Sequence, residues 1–171
     1  MEERRVRIAF ATNGGEKIDA GFEQASEIVL CEVSSSEARE IAVLRFASSA
    51  LVQPPTKRGP GGGQGCKEKQ GGCGGGKKDP ILNEAAVDER IASLEGARVL
   101  LVQSTLNAYS ALALNHVKVF SIKLDHPQFI ADMILRIQEM LMFDPPLWLR
   151  RALVNPSVEL EEESLVPSKA E

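Results

Sequence analysis

Histidine is nearly missing from this chain, and cysteine is scarce. Its 171 residues hold two histidines, His116 and His126, and three cysteines, Cys31, Cys66 and Cys73. With so few histidines, no Ser–His–Asp or Cys–His constellation stands out in the sequence. An odd number of cysteines argues against a disulfide framework and suits thiol or metal chemistry in a reducing compartment. No apolar run approaches the ~18 residues that span a bilayer. The opening MEERRVRIAF has no long apolar region of the signal-peptide kind and runs straight into a strand pattern. Neither sign of charge dominates: the net charge is −4, which gives no global electrostatic case for nucleic acid or a membrane. The expectation is a cytoplasmic protein. With 43% hydrophobic and 26% charged residues, the chain has the composition of one ordinary domain with a real core.

The informative stretch is Arg7 to Val33, which reads as strand, long loop, strand. Val6, Ile8 and Phe10 alternate with Arg7, Ala9 and Ala11 at the period of two that marks a strand over about 5–12. Asn13-Gly14-Gly15 breaks that pattern with residues that tolerate positive φ. A second strand is expected over Glu27–Val33. The segment between, 16–26, is long for a hairpin, and long loops on rigid strands are where binding sites sit. Glu40–Phe46 reads as a third strand, completing an antiparallel meander.

Composition then changes abruptly. Lys57 to Lys78, KRGPGGGQGCKEKQGGCGGGKK, holds 10 of the 14 glycines, two of the three cysteines and six Lys or Arg against one acid, Glu68. Such glycine density does not repay a fixed backbone, so 47–78 reads as an insert within one domain. Gly71-x4-Gly76-Lys77 is reminiscent of a phosphate-binding loop. It fails as one, because Lys78 replaces the magnesium-binding hydroxyl and no strand precedes it. Regular structure resumes at Asp79-Pro80, a helix start, with Ile81, Leu82, Ala85, Ala86, Ile91 and Leu94 on one face ending near Gly96. Val99–Val102 suits a strand buried on both faces. A helix over 105–115, a strand over 117–122, a helix from about Asp125-His126-Pro127 and a short closing helix around Trp148 follow. Domain limits of 1–154 result, with 155–171 as a loose acidic tail.

The element order is β-β-β, insert, α-β-α-β-α, an α/β mixed five-stranded sheet flanked by helices. Here the sequence resembles the NifX/NafY family of dinitrogenase iron–molybdenum cofactor biosynthesis proteins, which is related to the NifB C-terminal domain. The likeness lies in RIAFAT…IDAGFEQASEIVLCEV at 7–33, in NEAAVDERIASLEGARVLLVQSTLNAYSALALNHVKVFSI at 83–122, and in FIADMILRIQEML with PPLWLRRAL at 129–153. It is closest to NifX-like members. It implies a ribonuclease H-like fold and a role in nitrogen fixation. Of the family's Asp-x-His-Phe-Gly-x-Ala loop, Asp19, Phe22 and Ala25 are present. Gly21 stands where the histidine is expected and Glu23 where the glycine is. The helix-ending glycine before the last strand is replaced too, apparently around Asn115-His116.

What the resemblance implies is a metal-cluster carrier. It would hold the iron–molybdenum cofactor, or its iron–sulfur precursor, as cargo, in exchange with NifB, the NifEN scaffold and apo-dinitrogenase. The expected platform is the loop with Asn13, Gly14, Gly15, Asp19 and Phe22. The expected metal ligands are Cys66 and Cys73, because thiolates suit iron–sulfur clusters. Glycine-loop amides also form anion-binding concavities. The plain alternative for the insert is a basic linker with two incidental thiols. Strand one carries no acid in its middle, so a two-metal nuclease site is not supported, and the chain reads as not an enzyme. Cys31 reads as a small core residue, and His116 and His126 as caps or surface. Two other functions fit: a metal-free module docking on nitrogenase assembly proteins, and an iron–sulfur carrier outside nitrogen fixation.

Overall fold

The computed structural model describes residues 3–54, 79–94 and 96–153. Along the chain it shows β1 (Val6–Thr12), β2 (Lys17–Ile18), β3 (Glu27–Val33), β4 (Ala38–Arg45), β5 (Leu51–Val52), β6 (Ile81–Leu82) and α1 (Glu84–Ser93). These are followed by β7 (Val99–Val102), α2 (Ala108–His116), β8 (Phe120–Lys123), β9 (Gln128–Phe129), α3 (Ile130–Met142) and α4 (Leu147–Leu153). Five strands form the main sheet in the order β4-β3-β1-β7-β8. β1, β3 and β4 pair antiparallel as a meander, while β7 runs parallel to β1 and β8 parallel to β7. The expected α/β mixed five-stranded sheet is therefore present.

β1 is the central strand and shows why. Val6, Ile8 and Phe10 point to one face, where they meet Met133 and Ile137 of α3 and Leu149 of α4. Ala9 and Ala11 point to the other, among Val87 of α1 and Leu114 of α2. Alanines on that side leave room for the helices, while the larger residues fill the α3/α4 side at core density. β7 is buried at all four positions, which is why its sequence shows no alternation.

Three helix starts differ from the sequence expectation, and two of them for one reason. Ile81–Leu82 pairs with Leu51–Val52 in a two-stranded ladder. α1 therefore begins later, capped by Asn83, whose side chain accepts from the Ala86 amide, and not at Asp79-Pro80. Gln128–Phe129 likewise pairs with Lys17–Ile18, so α3 starts at Ile130 and not beside Pro127. α2 starts at Ala108 because Asn107 caps it, its side chain accepting from the Tyr109 amide at 3.0 Å. Local propensity cannot register a distant partner that claims the same residues. The last sheet strand begins at Phe120 rather than Val117, because Val117 is the α2 C-cap and Lys118 has φ +62°. The left-handed residue ending α2 is thus Lys118, not His116, which lies exposed in the last turn. Of the expected insert over 47–78, residues 47–54 are described and include buried Ala50 and β5, whereas 55–78 and the expected acidic tail over 155–171 lie outside the described residues.

Lys118 is an exposed residue held left-handed without a glycine's freedom. Lys118→Gly is expected to raise stability by about 1 kcal/mol, because a non-glycine side chain in this conformation costs roughly that much. An unchanged or lowered urea midpoint at constant m-value would contradict this origin of the strain.

Candidate functional site

β1, β7 and β8 are parallel, so the chain leaves all three at the same end of the sheet. The segments 13–26, 103–107 and 124–127 form the rim there. Ligands of open α/β sheets bind in crevices outside the carboxyl ends of strands.

Local hydrogen bonds build the loop from the strand end outward. Thr12, fully buried, accepts at its hydroxyl from the Gly14 and Gly15 amides at 3.2 and 2.9 Å. Gly15 has φ +80°, which lets the chain turn back. The Asn13 amide donates to Asp19 Oδ1 at 2.9 Å, and the Asn13 side chain accepts from the Ser26 amide at 3.2 Å. Asn13, Gly14, Gly15 and Asp19 therefore share one exposed patch. Phe22 does not share it. It is fully buried, among Ala9, Ala11 and Ile28, beneath the loop. Its role in the platform is as an anchor, not as a surface presented to a ligand. Cys66 and Cys73 lie outside the described residues.

Four residues at the rim escaped the sequence reading as contributors. Arg90, 1% exposed, donates from Nη1 to the carbonyls of Phe22 (2.9 Å) and Ala25 (2.8 Å), and from Nη2 to that of Ser48 (2.8 Å). Its guanidinium also lies 4.1 Å over the Phe46 ring. Burial lowers its pKa, with Glu23 and Glu89 pulling the other way. Glu23, 2% exposed, accepts from the Asn107 amide at 2.8 Å, directly at the start of α2. Gln103 links two rim segments, its amide donating to the Ala20 carbonyl and its Nε2 to that of Leu124. Ser104 packs against Gly21: a Cβ added at Gly21 would overlap the Ser104 hydroxyl and stand 2.8 Å from Gln24 Oε1. A signal existed for Arg90, which sits at the core-facing position three residues after Val87.

Cys31 faces the α3 side of the sheet, 3% exposed, and burial pushes its thiol up from 9.0 to about 11. It is the inert core thiol its sequence position suggests. Among the described residues, no group of three or more His, Cys, Asp and Glu is arranged to hold a metal ion, and no helix is long and apolar enough to cross a membrane.

The fold and this rim define a class: a mixed-sheet α/β domain presenting a hydrogen-bonded loop at the carboxyl ends of its parallel strands. Residues 4–140 match the family described as dinitrogenase iron-molybdenum cofactor, and the chain belongs to that family. It is similar to Protein NifX of Sinorhizobium fredii, with 31% identity over 81 residues. That match covers 47% of this chain and spans half the length of the relative. It is also similar to Protein NifX of Rhodobacter capsulatus, with 28% identity over 151 residues, covering 88% of this chain and 79% of that protein. The expected NifX-like membership is shown by these matches.

Two outcomes check this anatomy. Gly21→Ala should cost about 1–3 kcal/mol by overpacking, and Ser104→Gly added to it should restore most of that loss in urea unfolding. Simple additivity of the two changes would disprove their contact. The Cys31 thiol has a raised pKa in the fold, so its contribution is fully present below pH 9 and falls as pH rises toward about 11. Stability of the wild type should decline across that window more steeply than that of Cys31→Ala; parallel curves would refute it.

Proposed function

We propose that this protein binds an iron–sulfur precursor or the iron–molybdenum cofactor as cargo and carries it between nitrogenase assembly proteins. Family membership supports the cofactor class. The observation that carries the reading further is the root of the insert. The Ala50 amide and the Ser49 hydroxyl both donate to the Glu23 carbonyl, at 2.7 and 3.1 Å, and the Asn83 amide donates to the Ala50 carbonyl. The β5–β6 ladder closes the two ends of the insert on each other. The described chain on either side of the segment bearing Cys66 and Cys73 thus lies beside residue 23 of the rim loop.

In this reading Cys66 and Cys73 ligate the cluster from the insert. The exposed patch of Asn13, Gly14, Gly15 and Asp19 is the platform it rests on, and Phe22 holds that platform from below. The six cations of the insert offset the charge of an anionic cluster. The work is reversible ligation and shielding, with no covalent chemistry on a substrate, so the protein acts as a carrier and not as an enzyme. Its exchange partners would be NifB, the NifEN scaffold and apo-dinitrogenase. Residues 1–154 would form the single carrier domain, with 155–171 as an acidic appendage. Taken in chain order, the five sheet strands lie third, second, first, fourth, fifth, which supports a ribonuclease H-like assignment.

One observation favours a second reading, a docking module that needs no metal. Ser104 takes the space that a side chain at position 21 would need, so the rim offers no donor there. Anaerobic incubation with isolated iron–sulfur precursor, followed by desalting, separates the two. The carrier retains stoichiometric iron with a broad charge-transfer absorption. Cys66→Ala/Cys73→Ala loses at least ~10-fold in affinity, the lower end of the loss seen when even outer-shell partners of a metal are removed. Equal iron uptake by the double variant, or no retained iron in folded wild type, would overturn the carrier.

A further inference from the structure

The pole opposite the rim holds a groove that plays no part in the carrier reading. It lies where β1 and β7 begin, beside the ends of α1, α2 and α4, with a volume of about 560 Å³. Its lining is of two kinds. Arg5, Arg7 and Arg98 supply guanidinium groups; Ile91, Val117 and Leu153 supply apolar surface. Val117 is 45% exposed, an uncovered β-branched residue on the groove.

Among the described residues, the cations are not balanced within the groove. Among the described residues the one acid lining it is Glu32, and that carboxylate is shared. Arg5 Nη1 and Arg7 Nε each approach it at 3.3 Å, and Arg39 Nη2, outside the groove, at 3.4 Å. Glu3 and Glu37 stand 4.0 and 3.8 Å from Arg5 but do not line the groove. Arg98 has no carboxylate within salt-bridge distance among the described residues.

The chain supplies a segment of matching chemistry. α4 ends at Leu153, which itself lines the groove, and the sequence continues as NPSVELEEESLVPSKAE over 155–171. That segment has five acids against one lysine, and Val158-Glu159-Leu160-Glu161 alternates apolar with acidic residues before Glu162 and Glu163. Glu159 to Glu163 follow Leu153 by six to ten residues, a reach of up to ~20–35 Å at the extension limit of a chain. We propose that residues 158–163 dock in the groove of their own chain. Their carboxylates face Arg7 and Arg98, and Val158 and Leu160 cover Ile91 and Val117. A single exposed ion pair contributes little. Tethering, however, gives the segment a millimolar effective concentration without further contacts. The basic insert is a rival for the same acids, but its root lies at the rim and not at this pole. The docked segment makes the groove self-occluded: an acidic stretch of another protein gains access only by displacing it.

The test uses the full chain and a fluorescent synthetic peptide of residues 155–165. The peptide should bind E159Q/E161Q/E162Q/E163Q about tenfold more tightly than wild type, since only the wild type carries its own competitor. Adding Arg98→Gln to that variant should abolish the gain. In amide NMR spectra, Ala97, Arg98 and Val119 should differ between wild type and the quadruple variant at low salt. They should converge near 1 M salt, where the Debye length is about 3 Å. Equal peptide affinity for both proteins overturns the proposal. So do shifts that appear on the insert instead of the groove. Shifts that grow with protein concentration also overturn it, by assigning the groove to a second copy's tail.

Discussion

The rim depends on one buried cation. Arg90 is 1% exposed, and a charge taken from water costs several kcal/mol unless its donors are filled. Here they are filled by three carbonyls and not by a carboxylate partner. Two of those carbonyls belong to the loop, at Phe22 and Ala25, and the third, at Ser48, to the chain entering the insert. A planar fork that stays charged can serve several acceptors at once and stack on Phe46; a lysine could not do both. Glu23 completes the arrangement from the other side, its carboxylate on the first amide of the α2 cap and its carbonyl on Ser49 and Ala50. The loop, the insert root, α1 and α2 are therefore registered against each other through one residue pair.

That network gives a physical account of two departures from the family pattern. Glu23 stands where a glycine is expected, and its side chain is not idle: it is buried and holds the amide of Asn107, the cap of α2. Gly21 stands where a histidine is expected, and the backbone there closes against Ser104. At Gly21 the loop packs closely onto the segment after β7, with no side chain projecting there. A loop packed this way presents backbone amides and short polar groups, so under the proposed carrier reading its metal ligands come from elsewhere in the chain. Cys31 cannot serve, because it is buried on the α3 side of the sheet with its thiol held protonated.

The long elements were legible in the sequence because their signals are local. β1, β3 and β7 are runs of apolar residues broken by glycine, asparagine or charge, and α4 follows a double proline. The starts of α1 and α3 were not legible, because each is displaced by a two-residue ladder whose partner lies elsewhere in the chain. Lys118 was hidden for another reason: nothing in its side chain announces a positive φ. At the site, Asn13, Gly14, Gly15 and Asp19 could be read as loop residues from their types alone. The burial of Phe22 and the clamp made by Arg90 could not, since both are consequences of the sheet order. Arg90 stands at the core-facing position of α1, three residues after Val87, but its clamp appears only when the carbonyls of a segment 65 residues earlier are placed around it.

Charge distribution separates the two poles in a way the net value of −4 conceals. Lys57–Lys78 carries six cations and one acid, a balance of +5, so the remaining residues sum to −9. Residues 155–171 hold five acids and one lysine, or −4 of that. The basic segment is rooted at the rim through Glu23 and Ala50, and the acidic one begins at the arginine groove below β1. Opposite charges joined to one small domain would attract each other across it if nothing held them apart. Their roots lie at opposite ends of the sheet, the β5–β6 ladder beside the rim loop and Leu153 at the arginine groove, and interactions between exposed charges at physiological salt fall off within about 8 Å. For the proposed carrier, the attachment points put the root of the cation-rich segment, and not that of the acidic one, beside the rim loop.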